Sequence, residues 1–233
     1  MTNRAGSDAV SHFKAGWEVL KRYPVLLVPP LGAQVIVVVL AVLFLGSVAG
    51  LTVAGGLAGG LAGLLAGGAL FMLLGGLLSL IASGVVIVMA RDALAAREPV
   101  MVEALNAVIA RFLDVLVASL LLTLIVGVGM LFFVVPGLLA AFFLIFTLPA
   151  VLLEGQGAVD ALRRSAYLVK ENIGPVAGLV IGGILAAVVT AIVSRILEVV
   201  PILGHLAAAL LAGVFITYLS VVGVRVYQSL PRR

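Results

Sequence analysis

The sequence has no cysteine, two histidines and a single tryptophan, and only 10% of its 233 residues are charged. Without cysteine there is no disulfide framework, no thiolate metal site and no cysteine nucleophile. The shortage of charge excludes more. Soluble domains carry about 25% charged and about 45–50% apolar residues, whereas apolar residues here reach 64%. Asp, Glu, Lys and Arg are absent from 23–90, 115–153, 172–194 and 199–224, which together hold 156 residues. The remainder cannot supply a water-facing surface for a chain of this size. Lipid is therefore the solvent for most of it. A soluble enzyme, a disordered chain and a nucleic-acid-binding domain are excluded, despite a net charge of +4.

What the sequence does have is apolar runs of spanning length. A membrane helix needs about 20 apolar residues to cross a core about 30 Å thick, and helices satisfy their own backbone within it. The runs 172–194 and 199–224 each hold one span, separated by Arg195-Ile-Leu-Glu198 and Pro201. Pro136-Gly137 divides 115–153 into two, with proline tolerated at a helix start. In 23–90, Pro29-Pro30 mark the beginning of a first span, and two spans leave some 28 residues over. The spacing predicts six transmembrane helices at about 30–49, 69–90, 115–134, 137–153, 174–195 and 203–224, arranged as three hairpins in one membrane domain. Residues 50–68, nearly all Gly, Ala and Leu, are left open as a loop, a re-entrant segment or an extension of span 2.

Six spans with both termini inside place Arg4, Lys14, Lys21, Arg22, Arg91, Arg97, Arg111, Arg163, Arg164, Lys170, Arg225, Arg232 and Arg233 on the cytoplasmic side. Only Arg195 of the 14 basic residues then lies outside, as the positive-inside rule requires. The expected location is the cytoplasmic membrane, multi-pass. No secretory signal is expected, because Ser7 to Arg22 is of mixed charge. His12 and His205 fall on opposite faces, so no two-histidine metal site is expected.

Each hairpin is preceded by an amphipathic stretch, at about 8–22, 100–113 and 157–171. Val10, Phe13, Trp17 and Leu20 share one helical face of the first, opposite Lys14, Glu18, Lys21 and Arg22. Val159, Leu162, Ala166 and Val169 form the apolar stripe of the third. Such helices lie along the membrane interface, so Lys14, Lys21, Arg22, Arg163, Arg164 and Lys170 are candidate contacts for anionic headgroups. Val102-Glu-Ala-Leu105 matches Val159-Asp-Ala-Leu162, with Val10-Ser-His-Phe13 a weaker third copy, which suggests a threefold repeat. Asp114 and Glu154 mark the cytoplasmic ends of the third and fourth spans or, with Asp160, form a candidate cytoplasmic polar cluster, in which Glu154 pairs with Arg163 or Arg164.

Small residues permit close helix packing in lipid. Gly55, Gly59, Gly63 and Gly67 recur every fourth position, and Gly178 and Gly182 belong to a ridge along the fifth span. These seams lie within a monomeric bundle or, for Gly55–Gly67, between copies in a homo-oligomer or against a membrane-protein partner. Signatures of chemistry are absent: no phosphate loop with its lysine, no span serine beside a base, and Gln34 as the main polar group inside a span. No enzymatic activity, metal or cofactor is expected.

The segment Pro149-Ala-Val-Leu-Leu-Glu154, followed by Asp160-Ala-Leu-Arg-Arg-Ser165-Ala-Tyr-Leu-Val169, resembles the glycerophosphoryl diester phosphodiesterase membrane-domain family and related uncharacterised six-span bacterial and archaeal proteins. The shared features are a proline in the fourth span, an acidic residue at its cytoplasmic end and an Ala-Leu…Ser…Leu-Val helix. In the namesake members a separate soluble domain carries the phosphodiesterase activity, so that activity does not transfer. The resemblance implies a membrane module acting with lipids or a partner. Three roles remain: a structural, accessory or lipid-associated module; a small transporter or channel; a membrane enzyme acting on lipid headgroups. A polar cavity near Gln34 would favour the second. A concave pocket joining Glu154, Asp160 and the arginines would favour headgroup binding.

Overall fold

A computed structural model describes residues 2–200 and 203–231, without the side chains of residues 2–10, 203 and 205. Pro201, Arg232 and Arg233, and the side chains of Arg4, Val10 and His205, lie outside what is described. The described residues are helical almost throughout, with no strand among them. The helices are α1 (Thr2–Arg22), α2 (Val28–Leu94), α3 (Met101–Ala110), α4 (Phe112–Phe132), α5 (Val134–Phe143), α6 (Thr147–Glu154), α7 (Ala158–Glu171), α8 (Ile173–Leu197) and α9 (Leu203–Ser229), with a 3-10 turn at Pro24–Leu27 before α2. Five helical stretches are long and apolar enough to cross a membrane: Pro24–Leu94, Phe112–Phe132, Val134–Glu154, Ile173–Leu197 and Leu206–Ser229. The chain is a multi-pass helical membrane protein.

The first of these stretches departs most from the pattern expected of the sequence. Gly56, at φ 60° and ψ −152°, breaks α2 once, in a region of backbone space essentially open only to glycine. The two arms run back along each other. A Cβ at Gly67 would stand 2.9 Å from Phe44 Cε2, one at Gly63 would stand 2.9 Å from Leu51 Cδ1, and one at Gly75 would stand 3.9 Å from Val37 Cγ2. Phe44 and Phe71 stack at 5.6 Å across the seam. The expected limits of 30–49 and 69–90 are thus corrected: the arms run from Val28 to Gly55 and from Leu57 to Leu94, so 57–68 extends the second arm. The seam of Gly59, Gly63 and Gly67 is filled by this chain's own first arm. Gly55 faces open space.

Two other expectations are refined. The turn between α4 and α5 is made by Phe133 in an extended conformation (φ −158°, ψ 146°), with Pro136 already inside the first turn of α5. The fourth apolar stretch is not continuous, since Leu144, Ile145 and Phe146 interrupt it between α5 and α6.

The core gathers at the end of the bundle where α2, α6 and α9 finish and α4 and α8 begin. Val85 and Ile87–Ala90 of α2, Val108 of α3, Val115 of α4, Phe146 and Val151 beside the α5–α6 break, and Val221, Val222, Val224, Val226 and Tyr227 of α9 are buried there together. With Arg91, Arg111, Glu154 and Arg225, this is the charged end of the bundle. The far end carries Arg195 and Glu198, joined at 3.2 Å. Helix α1 lies in the groove between α8 and α9. Phe13 occupies the space in front of Gly182, Gly16 meets Val222, and the Tyr218 hydroxyl donates to the Phe13 carbonyl at 3.0 Å.

Candidate functional site

Helix α7 organises the charged end. Its sequence predicts an apolar stripe through Val159, Leu162, Ala166 and Val169, but the buried face is rotated from this: Ala158, Ala161, Leu162, Ser165, Leu168 and Val169 point inward, and Val159 is exposed. The reason is Ser165, which is fully buried. Its hydroxyl donates to the Phe143 carbonyl at 2.8 Å and accepts from the Phe146 N–H at 3.0 Å. The break between α5 and α6 leaves those two backbone groups without helical partners, at an energetic cost in a low-dielectric interior. One serine satisfies both. The Leu144 carbonyl accepts from both the N–H and the hydroxyl of Thr147, at 3.1 and 2.7 Å. Sequence pattern does not single out Ser165, because an isolated serine on an apolar stripe looks like a polar boundary. The signals it offers are the i, i+4 spacing from Ala161 and the place of this serine in the Ala-Leu…Ser…Leu-Val pattern on which the family resemblance rests.

Glu154 ends α6 and meets Arg164 of α7, Oε2 to Nε at 3.1 Å, with side-chain exposures of only 14% and 19%. Gln156 donates to the same oxygen at 3.3 Å. Between them Gly155 adopts a left-handed conformation (φ 73°) as the C-cap of α6, a position where glycine is favoured. The Arg111 guanidinium is packed against it, so that a Cβ at Gly155 would come 2.6 Å from Nη2. A cation at this place also faces the negative end of the α6 dipole. Arg111, Glu154, Gln156 and Arg164 therefore tie α4, α6 and α7 together.

The expected cluster is only partly assembled. Glu154 is in the knot. Asp160 instead pairs with Arg163 on the surface of its own helix, at 3.8 Å with both side chains exposed, and Asp114 stands in the first turn of α4. Of the six candidate lipid-contacting cations, Lys14, Lys21, Arg22, Arg163 and Lys170 are exposed, and Arg164 is turned inward. Lys21 lies 5.3 Å over the Trp17 ring. Beside the knot is a shallow open depression of about 680 Å³, lined by Gly155, Gln156, Gly157, Asp160, Arg163, Arg164 and Tyr167.

A second concavity, of about 460 Å³, lies between the α5–α6 break and the α8–α9 pair. Its walls are Ile145, Phe146, Leu148 and Pro149 on one side and Leu179, Val180, Gly183 and Ile184 on the other, with Ile216, Leu219, Ser220 and Gly223 of α9 behind them. Apart from the Ser220 hydroxyl, which donates to the Ile216 carbonyl, its named side chains are apolar. It admits hydrocarbon, not ions. Gln34 is half-buried on the first arm of α2 and does not line it. The packing seams also sort themselves: Gly182 receives Phe13, while Gly178 is half-buried on α8.

Two of the three matched stretches, 102–108 and 159–165, have a partial structural counterpart. Ala104 and Ala161 are both buried, as are Val108 and Ser165 four residues on, and Val102 and Val159 are both exposed. Val108 packs against Gly84 of α2 where Ser165 enters the α5–α6 break.

No curated protein and no solved structure matches this chain. A family match covers residues 8–230. This nearly complete coverage takes in α7, the glycine hairpin and the groove together, and the chain belongs to the family described as Domain of unknown function (DUF7847).

Proposed function

We propose that this protein is a non-enzymatic, lipid-associated accessory module of the cytoplasmic membrane. In this reading it crosses the bilayer six times as three hairpins, with both termini in the cytoplasm. The observation that carries the reading is the division of labour among charges at the charged end. Arg164, Glu154 and Gln156 are consumed in holding helices together, while Lys14, Lys21, Arg22, Arg163 and Lys170 stand exposed. Cations at that level face anionic headgroups, each contributing about 1 kcal/mol near the surface. The apolar concavity beside α8 supports the same reading, because its lining suits an acyl chain. The resemblance to membrane modules of the phosphodiesterase group is in keeping with it.

The test is lipid analysis of the protein extracted in native nanodiscs. Anionic lipids are expected to be enriched over the bulk membrane, and Lys14→Gln, Lys21→Gln, Arg22→Gln and Arg163→Gln combined should abolish the enrichment. Unchanged enrichment in the fourfold variant overturns the reading.

A further inference from the structure

The concavity beside the α5–α6 break owes its shape to that break. Irregular backbone inside a membrane protein persists where it is buried or lines a cavity, and in transporters interrupted helices build the binding site. Here Ser165 holds the backbone on either side of the interruption, and Phe146 packs against Tyr227 with ring centroids 5.4 Å apart. Ile145, Phe146, Leu148 and Pro149 thereby form one wall of a space of about 460 Å³. Small-molecule sites span about 300–1,000 Å³.

The walls show where this space opens. Toward the charged end it is closed: Ile87, Phe146, Leu179 and Val224 are each at most 7% exposed, and Pro149 is buried. Farther along, Ile184, Ala187 and Ile216 are exposed, as is Ile145 beside the break. The lining of α8 begins about 9 Å and ends about 21 Å from Ile173, and that of α9 begins about 8 Å and ends about 20 Å from Ser229. The length between these limits, about 12 Å, is less than the ~15 Å of hydrocarbon in one leaflet. The space is therefore blind toward the charges and open to the lipid. Water has too few polar partners there, since the one named side-chain hydroxyl, that of Ser220, already donates within its own helix. Left empty, the walls would forfeit their dispersion contacts. Hydrocarbon is the occupant that remains.

We propose that this concavity is a binding site for one acyl chain of a phospholipid, which enters from the hydrocarbon layer and is held by the break that Ser165 maintains. The inference rests on the lipid-associated reading and names its apolar ligand and the elements that grip it. Such a chain differs from the surrounding lipid because the α5–α6 break, α8 and α9 face it on three sides. Gly183 and Gly223 make the room: both stand in the wall, and a Cβ at Gly223 would meet nothing within 4 Å.

The test uses a phospholipid with a photoreactive diazirine near the end of one acyl chain, doped into phosphatidylcholine vesicles that carry the protein. Cross-links are expected to concentrate on Ile145, Ile184 and Ile216, several-fold above Leu120 and Leu124 of α4, which are more exposed than any of the three. Gly223→Leu fills the space and should remove the excess. Gly127→Leu, at an exposed glycine of α4 that also faces open space, should keep it. Labelling of the concavity no stronger than that of α4, or an excess that survives Gly223→Leu, overturns the proposal. The wild-type comparison decides by itself where Gly223→Leu does not fold. The fourfold glutamine variant should also keep the excess, because none of its residues lines the space. Failure of the anionic-lipid reading thus appears in the lipid enrichment, and failure of this one in the cross-linking.

Discussion

At the residue scale, Ser165 shows how a polar atom becomes structural in an apolar setting. Its hydroxyl serves two backbone groups that a break in the helix has orphaned. Replacing it with alanine leaves both unsatisfied in a buried place, which costs about 1–3 kcal/mol for each group. Ser165→Ala is therefore expected to lower the unfolding free energy by at least ~1 kcal/mol in denaturant titration of the detergent-solubilised protein. Arg164→Met removes the arginine from the Glu154 carboxylate, which is largely shielded from water and keeps Gln156 as a donor, and is expected to cost about 2 kcal/mol. The surface variant Arg163→Met, whose partner is exposed, should change stability by less than ~0.5 kcal/mol. The contrast between adjacent arginines checks the inward and outward assignments directly. Equal losses would contradict them.

At the scale of the element, the α2 hairpin depends on one backbone conformation and one seam. Gly56→Ala forces a side chain into a region reserved for glycine, at a cost on the order of 1–3 kcal/mol. In the seam, Gly63→Leu meets Leu51 and Val48 of the other arm, and overpacking of this kind costs about 1–3 kcal/mol. Gly50→Leu points to open space and is expected to leave the fold intact. A paired substitution measures the register: Thr52→Cys with Gly60→Cys should form a disulfide within one chain, because a Cβ at Gly60 stands 3.4 Å from Thr52 Cβ, close to bridging distance. An interarm disulfide that appears only between copies would mean that the seam joins two chains.

The glycine period in 55–67 is legible in the amino-acid sequence, and so is its meaning as a close helix seam. Its partner is not. A four-residue repeat of glycine reports that something approaches closely, and the identity of what approaches is a tertiary fact. The same holds for α7: composition announces an amphipathic helix, yet its facing direction depends on the break between α5 and α6.

At the scale of the whole molecule, charge arithmetic predicts topology and the structure supplies what the charges do. Single cysteines introduced at Arg97 and at Val199 test the orientation in intact cells. The impermeant maleimide is expected to label Val199→Cys and to spare Arg97→Cys. The reverse pattern would invert the bundle and remove the anionic-leaflet argument with it.

The sequence by itself determined that this chain lives in lipid, roughly where its helices fall, and which end gathers its cations. Those properties follow from the free energy of moving each side chain between water and hydrocarbon, which is nearly local and additive along the chain. Only the tertiary structure decided that the first apolar run turns back at Gly56, that Glu154 takes Arg164 over Arg163, and that Ser165 mends a broken helix. Each of these is a contact between segments, and the geometry of backbone groups left unpaired in an apolar medium selects it.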